Sequence, residues 1–317
     1  MYKKAFFVGL SPLSKIIFLT CIVLISTLVF LIIGSLLAIF SFKINIFSNP
    51  GVLTDLDNSN ALSAFKLLQG FQHIGLFIVP PIVFAFLVST NPGNYLRIKQ
   101  LPVMFSLFAA CIIMVTAMPL VNWMIEINET LRLPEFLSEI EQWMKDTEEN
   151  AAKITEAFLN MKTTGDLLLN MLIIALLPAV GEELLFRGVI QRLFAEWTKN
   201  VHLGVIIAAV LFSTLHMQFY GFLPRMMLGI LFGYLLVWSK SLWLPILCHF
   251  INNGAAVFFY YLSSKGIITF DSDTFGTGEG ETVFPLASAV IIAGLLFLLY
   301  RNEKRLEGTT EIQPLSS

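Results

Sequence analysis

Long runs of apolar residues recur along the chain, separated by shorter stretches that hold most of the polar positions. A helix needs about 20 mostly apolar residues to cross the hydrocarbon core of a bilayer. Runs near this length lie at 16–41, 63–89, 101–124, 167–190, 203–221, 224–239, 242–262 and 283–300. The pattern predicts an all-α fold, a polytopic membrane helix bundle with about eight transmembrane helices.

The composition supports a membrane protein over a soluble one. Hydrophobic residues make up 56% of the 317 positions and charged residues only 13%, about half the share found in soluble domains. A soluble domain of this size could not bury so much apolar surface, whereas lipid can solvate it. The net charge of −2 says nothing about partners, but the sequence has no basic patch that would bind nucleic acid.

Lysine and arginine are distributed unevenly among the segments between the runs. The segments with two or more Lys or Arg and no excess of acidic residues are 1–15, 90–100, 187–201 and 301–317. Acidic residues outnumber basic ones in the alternate segments, 42–62, 125–166 and 263–282. Lys and Arg mark the cytoplasmic side of a membrane. We therefore expect an integral, multi-pass membrane protein with both termini in the cytoplasm.

Segment 125–165 is the longest stretch outside the apolar runs. Its apolar residues recur at helical spacing around 133–144 and again around 151–161, which predicts two short amphipathic helices. The expected orientation puts them on the extracytoplasmic side. The tail at 301–317 is expected to be disordered.

The end of the fourth run is unusually polar. A charge at the centre of a span costs about 2.5–3.5 kcal/mol on insertion scales. The presence of Glu182, Glu183 and Arg187 in this run therefore indicates a structural or functional role for them. Glu183 and Arg187 are four residues apart and can pair on one helix face. Glu182 points in a different direction, and we expect it to face the interior of the bundle. Pro178 and Gly181 loosen the helix just before it, which would let water in.

Two further runs carry polar groups. The fifth run contains Phe212 and His216, and the seventh contains His249 and Asn253, four residues apart on one face. A carboxylate with a histidine can position and deprotonate a water molecule, and a second histidine with an asparagine can stabilise an oxyanion. These parts suit hydrolysis of an amide. Alternatively, two histidines and a glutamate match the ligands of hydrolytic zinc, although no H-E-x-x-H motif is present.

The second run also contains polar residues, namely Gln69, Gln72 and His73, followed by Pro80 and Pro81. We interpret them as a source of interhelical hydrogen bonds and a kink. A role in a substrate path is the alternative.

Three motifs stand on separate apolar runs in a fixed order: EExxxR at 182–187, FxxxH at 212–216 and HxxxN at 249–253. This combination resembles the CPBP intramembrane proteases, also called the CAAX protease and bacteriocin-processing (Abi) family, which includes eukaryotic CAAX prenyl protease 2. The resemblance covers about residues 166–262. The first 165 residues carry no part of it.

The resemblance implies a role for each matching residue. Glu182 would be the general base, His216 would help it to activate water, and His249 with Asn253 would stabilise the oxyanion. The residues that would support the site are Glu183, Arg187 and Phe212. No cofactor is certain; if a divalent metal such as zinc takes part, its ligands would be Glu182, His216 and His249.

The chain is thereby divided into three parts. Residues 1–165 form an N-terminal scaffold of three spans that includes the extracytoplasmic segment 125–165. Residues 166–262 form the CPBP-like catalytic core, and 263–317 form the last span and the cytoplasmic tail. One difficulty concerns depth, because His216 would lie roughly 20 Å along its run and His249 only about 10 Å along its own. Tilt, a broken helix or a short fifth span would remove this mismatch.

The leading functional hypothesis is an intramembrane endopeptidase. It would act within a lipid bilayer on a peptide or a lipidated protein, in CAAX-type or leader-peptide processing. One alternative is a non-catalytic immunity or scaffold protein that keeps the motif residues for packing. Another is a proton-coupled transporter, against which stands the absence of a repeat relating the two halves of the chain.

Overall fold

A computed structural model of the protein describes residues 6–269, 275–276 and 282–311. These residues form α-helices and no β-strand, which confirms the predicted all-α class. The helices are α1 Pro12–Phe42, α2 Ser59–His73, α3 Val79–Val88, α4 Pro92–Tyr95, α5 Met104–Thr116, α6 Met118–Thr130, α7 Ser138–Leu159, α8 Thr164–Asn170, α9 Leu177–Leu185, α10 Gln191–Thr198, α11 Val201–Leu215, α12 Phe222–Ser239, α13 Trp243–Ser264 and α14 Val283–Glu311.

The protein is an integral multi-pass membrane protein. Within the described ranges, five continuous helical stretches are long and apolar enough to cross a membrane: Pro12–Phe42, Ser59–Val88, Thr164–Thr198, Phe222–Ser239 and Val283–Leu306. The α5–α6 pair is bent by 45° and can count as a sixth. The predicted number of eight is not confirmed. α11 has only 15 residues, and α13 has the length, 22 residues, but is interrupted by polar side chains such as His249 and Asn253.

Two local predictions are wrong. The two short helices expected between 133 and 161 are one continuous helix, α7, since no glycine or proline interrupts Ser138–Leu159. The tail expected to be disordered from residue 301 continues α14 as far as Glu311. Residues 312–317 lie outside the described part of the chain, as do Lys3, Lys4 and the four acidic residues of segment 263–282.

α7 is attached to the bundle by a buried lysine. The ammonium group of Lys66 on α2 donates to the carbonyl oxygen of Phe158 at 2.9 Å and to Oδ1 of Asn170 at 3.0 Å. Lys66 is only 8% exposed. These bonds hold the end of α7 against α2 and α8, and they give the buried charge its hydrogen-bond partners.

Proline shapes the helices around the centre of the bundle. A π-helical turn at Ile74–Ile78 precedes Pro80, and another at Met171–Leu176 precedes Pro178. Proline has no N–H and clashes with the carbonyl four residues earlier, so the preceding turn widens. For Pro178 that carbonyl belongs to Ile174, and it accepts a hydrogen bond from Nδ2 of Asn253 at 3.1 Å. α13 thus supplies the donor that the proline lacks.

α11 and α12 pack closely because glycine leaves room for them. A Cβ atom at Gly229 would lie 2.9 Å from Cβ of Ala209 and 3.3 Å from Nη2 of Arg187. Small residues permit such close approach between membrane helices. The same contact exposes the carbonyl oxygen of Gly229, which accepts a hydrogen bond from Nη2 of Arg187 at 3.2 Å.

Candidate active site

The predicted pair on α9 is present and fully buried. Nη1 of Arg187 lies 2.8 Å from Oε1 of Glu183, and the two side chains are 1% and 0% exposed. Phe212 and Phe232 flank the guanidinium group, with ring centroids 4.6 and 5.5 Å from its Cζ atom. A buried charge is stable only when it is paired and hydrogen-bonded. The pair therefore forms a fixed support on which other groups can be positioned.

His249 is held by this support. Its Nδ1 lies 2.9 Å from Oε1 of Glu183, and because a carboxylate only accepts hydrogen bonds, Nδ1 carries the proton. The ring packs on Phe232 at a centroid distance of 5.7 Å and edge-on to Phe212 at 6.0 Å. The other nitrogen, Nε2, is directed toward Glu182, 3.8 Å from Oε2.

His216 approaches the same carboxylate from the other side. It is the first residue beyond the last turn of α11, and its Nδ1 lies 2.8 Å from the carbonyl oxygen of Phe212. A carbonyl also only accepts, so Nδ1 carries the proton here as well. Nε2 of His216 lies 4.0 Å from Oε2 of Glu182. Both histidines reach the same carboxylate oxygen, so the difference in depth expected for straight, upright helices does not keep them apart.

Glu182 lies between the two rings without a direct partner. Its side chain is 9% exposed, and Oε2 is buried with no hydrogen-bond partner in the described part of the protein. With both Nδ1 atoms protonated, each neutral ring presents a lone pair on Nε2, so three acceptors face one another. Such a set requires a hydrogen donor between them, and a water molecule is the simplest one.

Asn253 does not contact Glu182. Its Nδ2 donates to Ile174, as described above, and its Oδ1 accepts from Nδ2 of Asn252 at 3.1 Å. It does share a cavity of about 170 Å³ with both histidines, and this cavity also contains Arg225. The structure therefore brings Glu182, His216 and His249 together and places Asn253 one helical turn further along α13.

The comparisons with known proteins concern this same region. Residues 164–255 match the family model described as type II CAAX prenyl endopeptidase Rce1-like. The matched segment is thus similar to a CAAX-type protease family over about 30% of the chain. A curated relative, the uncharacterized protein YpbD of Bacillus subtilis (strain 168), is 30% identical over 89 residues, which is 27% of this chain and 42% of the relative. The match thus spans less than half of the relative's length. No solved structure matches the chain.

The matched segment contains every motif residue that the sequence pointed to. Glu182 and Arg187 lie on Thr164–Thr198, and His216, His249 and Asn253 follow within the matched range. The match shows a similarity to a family of intramembrane proteases. The activity of this chain and the role of each residue in the reaction are treated as proposals below.

A metal site is not preformed by these side chains. Across the described residues, no group of three or more His, Cys, Asp or Glu side chains is arranged so that it could hold a metal ion. Glu182, His216 and His249, the ligands named from the resemblance, are included in that statement. No step of the reaction is therefore derived through a metal.

Sequence reasoning did not assign Gln69, Gln72 and His73 to the site. They line a second cavity, of about 290 Å³, that also contains Glu182 and His216. The signal was available, since a polar residue inside a span marks a functional site by default. The packing interpretation was preferred because α2 lies outside the three motifs.

Proposed function

We propose that this protein is an intramembrane endopeptidase in which Glu182 is the general base. The observation that supports the proposal most directly is a buried, unpartnered carboxylate oxygen, Oε2 of Glu182, with the Nε2 atoms of His216 and His249 each about 4 Å from it. A site of this kind binds a water molecule and withdraws a proton from it. The match to a CAAX prenyl endopeptidase family model points to a peptide bond as the target.

In the proposed reaction, the bound water donates one hydrogen to Glu182 and the other to Nε2 of His216. As its oxygen attacks the carbonyl carbon of the scissile peptide bond, its proton passes to the carboxylate of Glu182. The carbonyl oxygen becomes an oxyanion. When the C–N bond breaks, Glu182 returns the proton to the leaving amine, so the reaction consumes one water and yields a carboxylic acid and an amine.

The oxyanion would be stabilised from α13. For this step His249 takes up a second proton from solvent at Nε2, so that Nε2 donates to the oxyanion while Nδ1 donates to Glu183. The second hydrogen on Nδ2 of Asn253 is available to the same oxyanion, since one hydrogen suffices for Ile174. Donors fixed before the reaction begins are the most effective stabilisers of developing charge. Glu183 and Arg187 contribute by holding His249 in place.

The substrate would be a membrane-associated peptide or a lipidated protein, as in CAAX-type processing or leader-peptide removal. The site lies within the helix bundle, so the scissile bond has to reach it from the bilayer or its boundary. Gln69 and Gln72, which are exposed amides at the edge of the larger cavity, provide a polar entrance.

The proposal includes an orientation with both termini in the cytoplasm. It is supported by a cavity of about 300 Å³ in which Lys240 meets Arg97 and Arg192, and the distribution of Lys and Arg assigns the segments of these two arginines to the cytoplasm. Single cysteines placed at Lys240 and at Glu148 in a cysteine-free variant would test it. A membrane-impermeant maleimide applied to intact cells should label position 148 and spare position 240.

The function itself is tested with purified protein and a library of peptides, with cleavage detected by mass spectrometry. Wild type would be compared with Glu182→Ala, His216→Ala and His249→Ala. His202→Ala is the matched control, because this histidine bonds to Tyr234 at 2.7 Å at the start of α11 and lines neither cavity. Cleavage by wild type and the control alone supports the proposal. Equal cleavage by all five proteins contradicts it.

A further inference from the structure

The cavity beside Glu182 has two walls of different origin. One wall comes from the matched segment 164–255, and the opposite wall comes from α2, which precedes that segment by about 90 residues of chain. His73 is the only one of the α2 side chains in this wall that has a ring nitrogen. Nothing in the proposed reaction uses it.

The environment of His73 is unusual for a packing residue. Its Nε2 is buried and has no hydrogen-bond partner in the described ranges. The ring packs on Phe77 at a centroid distance of 4.5 Å. Buried polar atoms in native proteins are nearly always hydrogen-bonded, so an exception requires an explanation. Nε2 faces Gly181 in this structure, and a ligand would reach it after the ring turns about its Cβ–Cγ bond toward the cavity that His73 lines. An absent ligand of this kind is such an explanation.

The backbone at Gly181 brings His73 close to the reacting groups. A Cβ atom at Gly181 would lie only 2.9 Å from Nε2 of His73. Gly181 immediately precedes Glu182, so the imidazole rests on the backbone next to the general base. Any larger residue would push the ring away, since Cβ atoms do not approach other atoms so closely.

The local fold fixes this position. His73 is the last residue of α2, and the π-helical turn at Ile74–Ile78 follows it directly because of Pro80 and Pro81. π-turns are frequent at functional sites, where they redirect side chains. The ring also interacts with the backbone of Leu177. A neutral imidazole whose proton is on Nδ1 presents a lone pair on Nε2, which can accept a hydrogen bond.

We propose that His73 is a substrate-binding residue, whose Nε2 accepts a hydrogen bond from a main-chain N–H of the bound peptide. This inference rests on the proposed endopeptidase function. The peptide lies in the larger cavity, between α2 and Glu182, with its scissile carbonyl facing His249. α2 is therefore part of the active site and not only scaffold. A main-chain bond of this kind holds any sequence in register and places the scissile carbon over the water.

The experiment uses the full-length protein and one synthetic peptide that the library screen has shown to be cleaved. In a series of analogues, each non-scissile amide N–H in turn is replaced by an ester oxygen, which removes one donor and preserves the length of the main chain. The values of kcat and KM are measured for wild type, His73→Ala, His73→Gln and the control His202→Ala. Thermal unfolding in the same detergent monitors folding.

We expect His73→Ala to lower kcat/KM about tenfold, mainly through KM, because one hydrogen bond is lost. One ester position should produce a similar loss in wild type and no further loss in His73→Ala. His73→Gln keeps an acceptor and should recover part of the activity. Should His73→Ala fail to fold, the ester series on wild type and His73→Gln still decides the question.

The inference is overturned if His73→Ala retains wild-type kcat/KM, or if every ester analogue affects wild type and variant equally. A purely structural role would lower the unfolding temperature without this pairing between one ester position and one side chain. Failure of the proposed function looks different. In that case wild type cleaves no peptide, or Glu182→Gln cleaves as well as wild type.

Discussion

The candidate site has two walls, one on α9, the turn Phe186–Ile190 and α13 and the other on α2, and their polar atoms are satisfied differently. In the first wall, Glu183, Arg187 and His249 form a continuous set of buried hydrogen bonds, although Oε2 of Glu182 and Oε2 of Glu183 have no partner in the described residues. In the second wall, Nε2 of His73 has no partner within the described chain, and the amides of Gln69 and Gln72 are exposed. The supporting side chains of the first wall are held in place without a ligand, whereas no such set of bonds holds the polar side chains of the second.

The difference separates two tasks of an enzyme. Groups that stabilise a transition state work best when they are fixed beforehand, because no reorganisation is then needed during the reaction. Groups that bind substrate must exchange partners, so they remain unsatisfied while the site is empty. Substitutions in the first wall should therefore lower kcat or stability. The sizes of these effects show which hydrogen bonds and charges hold that wall in place.

The largest effect is expected at Glu182. Glu182→Gln keeps the shape of the side chain and removes the base, so kcat should fall by about 10²–10⁴-fold. The unfolding temperature should stay close to that of wild type, since Oε2 has no partner to lose. Peptide cleavage followed by mass spectrometry and thermal unfolding in detergent provide the two measurements. A fully active Glu182→Gln protein would show that Glu182 is not the general base and that the first wall is not catalytic.

Breaking the fixed wall at Arg187 should affect stability most. Arg187→Leu removes the cation beside the buried Glu183 and leaves this carboxylate only the hydrogen bond from His249, which we expect to cost about 3–5 kcal/mol of unfolding free energy. Denaturant unfolding in mixed micelles measures it. The matched control is Lys145→Ala, because Lys145 and Glu141 are also four residues apart, at 2.7 Å, but lie at the surface. A loss of the same size in the control would show that burial is not the cause.

Asn253 should have an intermediate effect on the reaction. Asn253→Ala removes one oxyanion donor and the bond to Ile174, and we expect kcat to fall by about 10²-fold. Asn253→Asp is the sharper variant, because it retains the size of the side chain but places a negative charge near the oxyanion. If KM changes and kcat does not, Asn253 binds substrate and does not stabilise the oxyanion.

Metal removal should have the smallest effect. Because no cluster of ligands is preformed across the described residues, dialysis against EDTA should leave kcat/KM unchanged. Metal analysis of the same sample by mass spectrometry checks whether any ion was present at the start. Loss of activity that is restored by adding zinc would reassign Glu182 from base to ligand.

Much of the site could be predicted because it depends on spacing within single helices. The four-residue separation of Glu183 and Arg187 predicted their pairing, and three motifs on three apolar runs predicted that Glu182, His216 and His249 meet. The fold class followed from the apolar runs in the same way. These inferences need only the periodicity of a helix and the cost of polar groups in lipid.

The remainder depends on contacts between helices, which spacing does not reveal. His73 joins the site because a π-turn and the small volume of Gly181 bring α2 against α9. α7 is continuous because neighbouring turns of a helix stabilise each other across a change in the apolar pattern. The sequence predicts that His216 lies near Glu182 from the motifs alone, since counting residues along upright helices places His216 and His249 at different depths.

The length of α11 has a consequence for the lipid around it, because the helix is shorter than the hydrocarbon core of a typical bilayer. Fifteen residues at about 1.5 Å each give a helix of about 22 Å, whereas the hydrocarbon core of a bilayer measures about 30 Å. A helix that is too short is accommodated by local thinning of the lipid around it. The headgroup region then descends toward the end of α11, where His216 lies. Acyl-chain length would therefore set how easily water and a polar substrate reach the site, and lipid composition becomes a variable that tunes the rate.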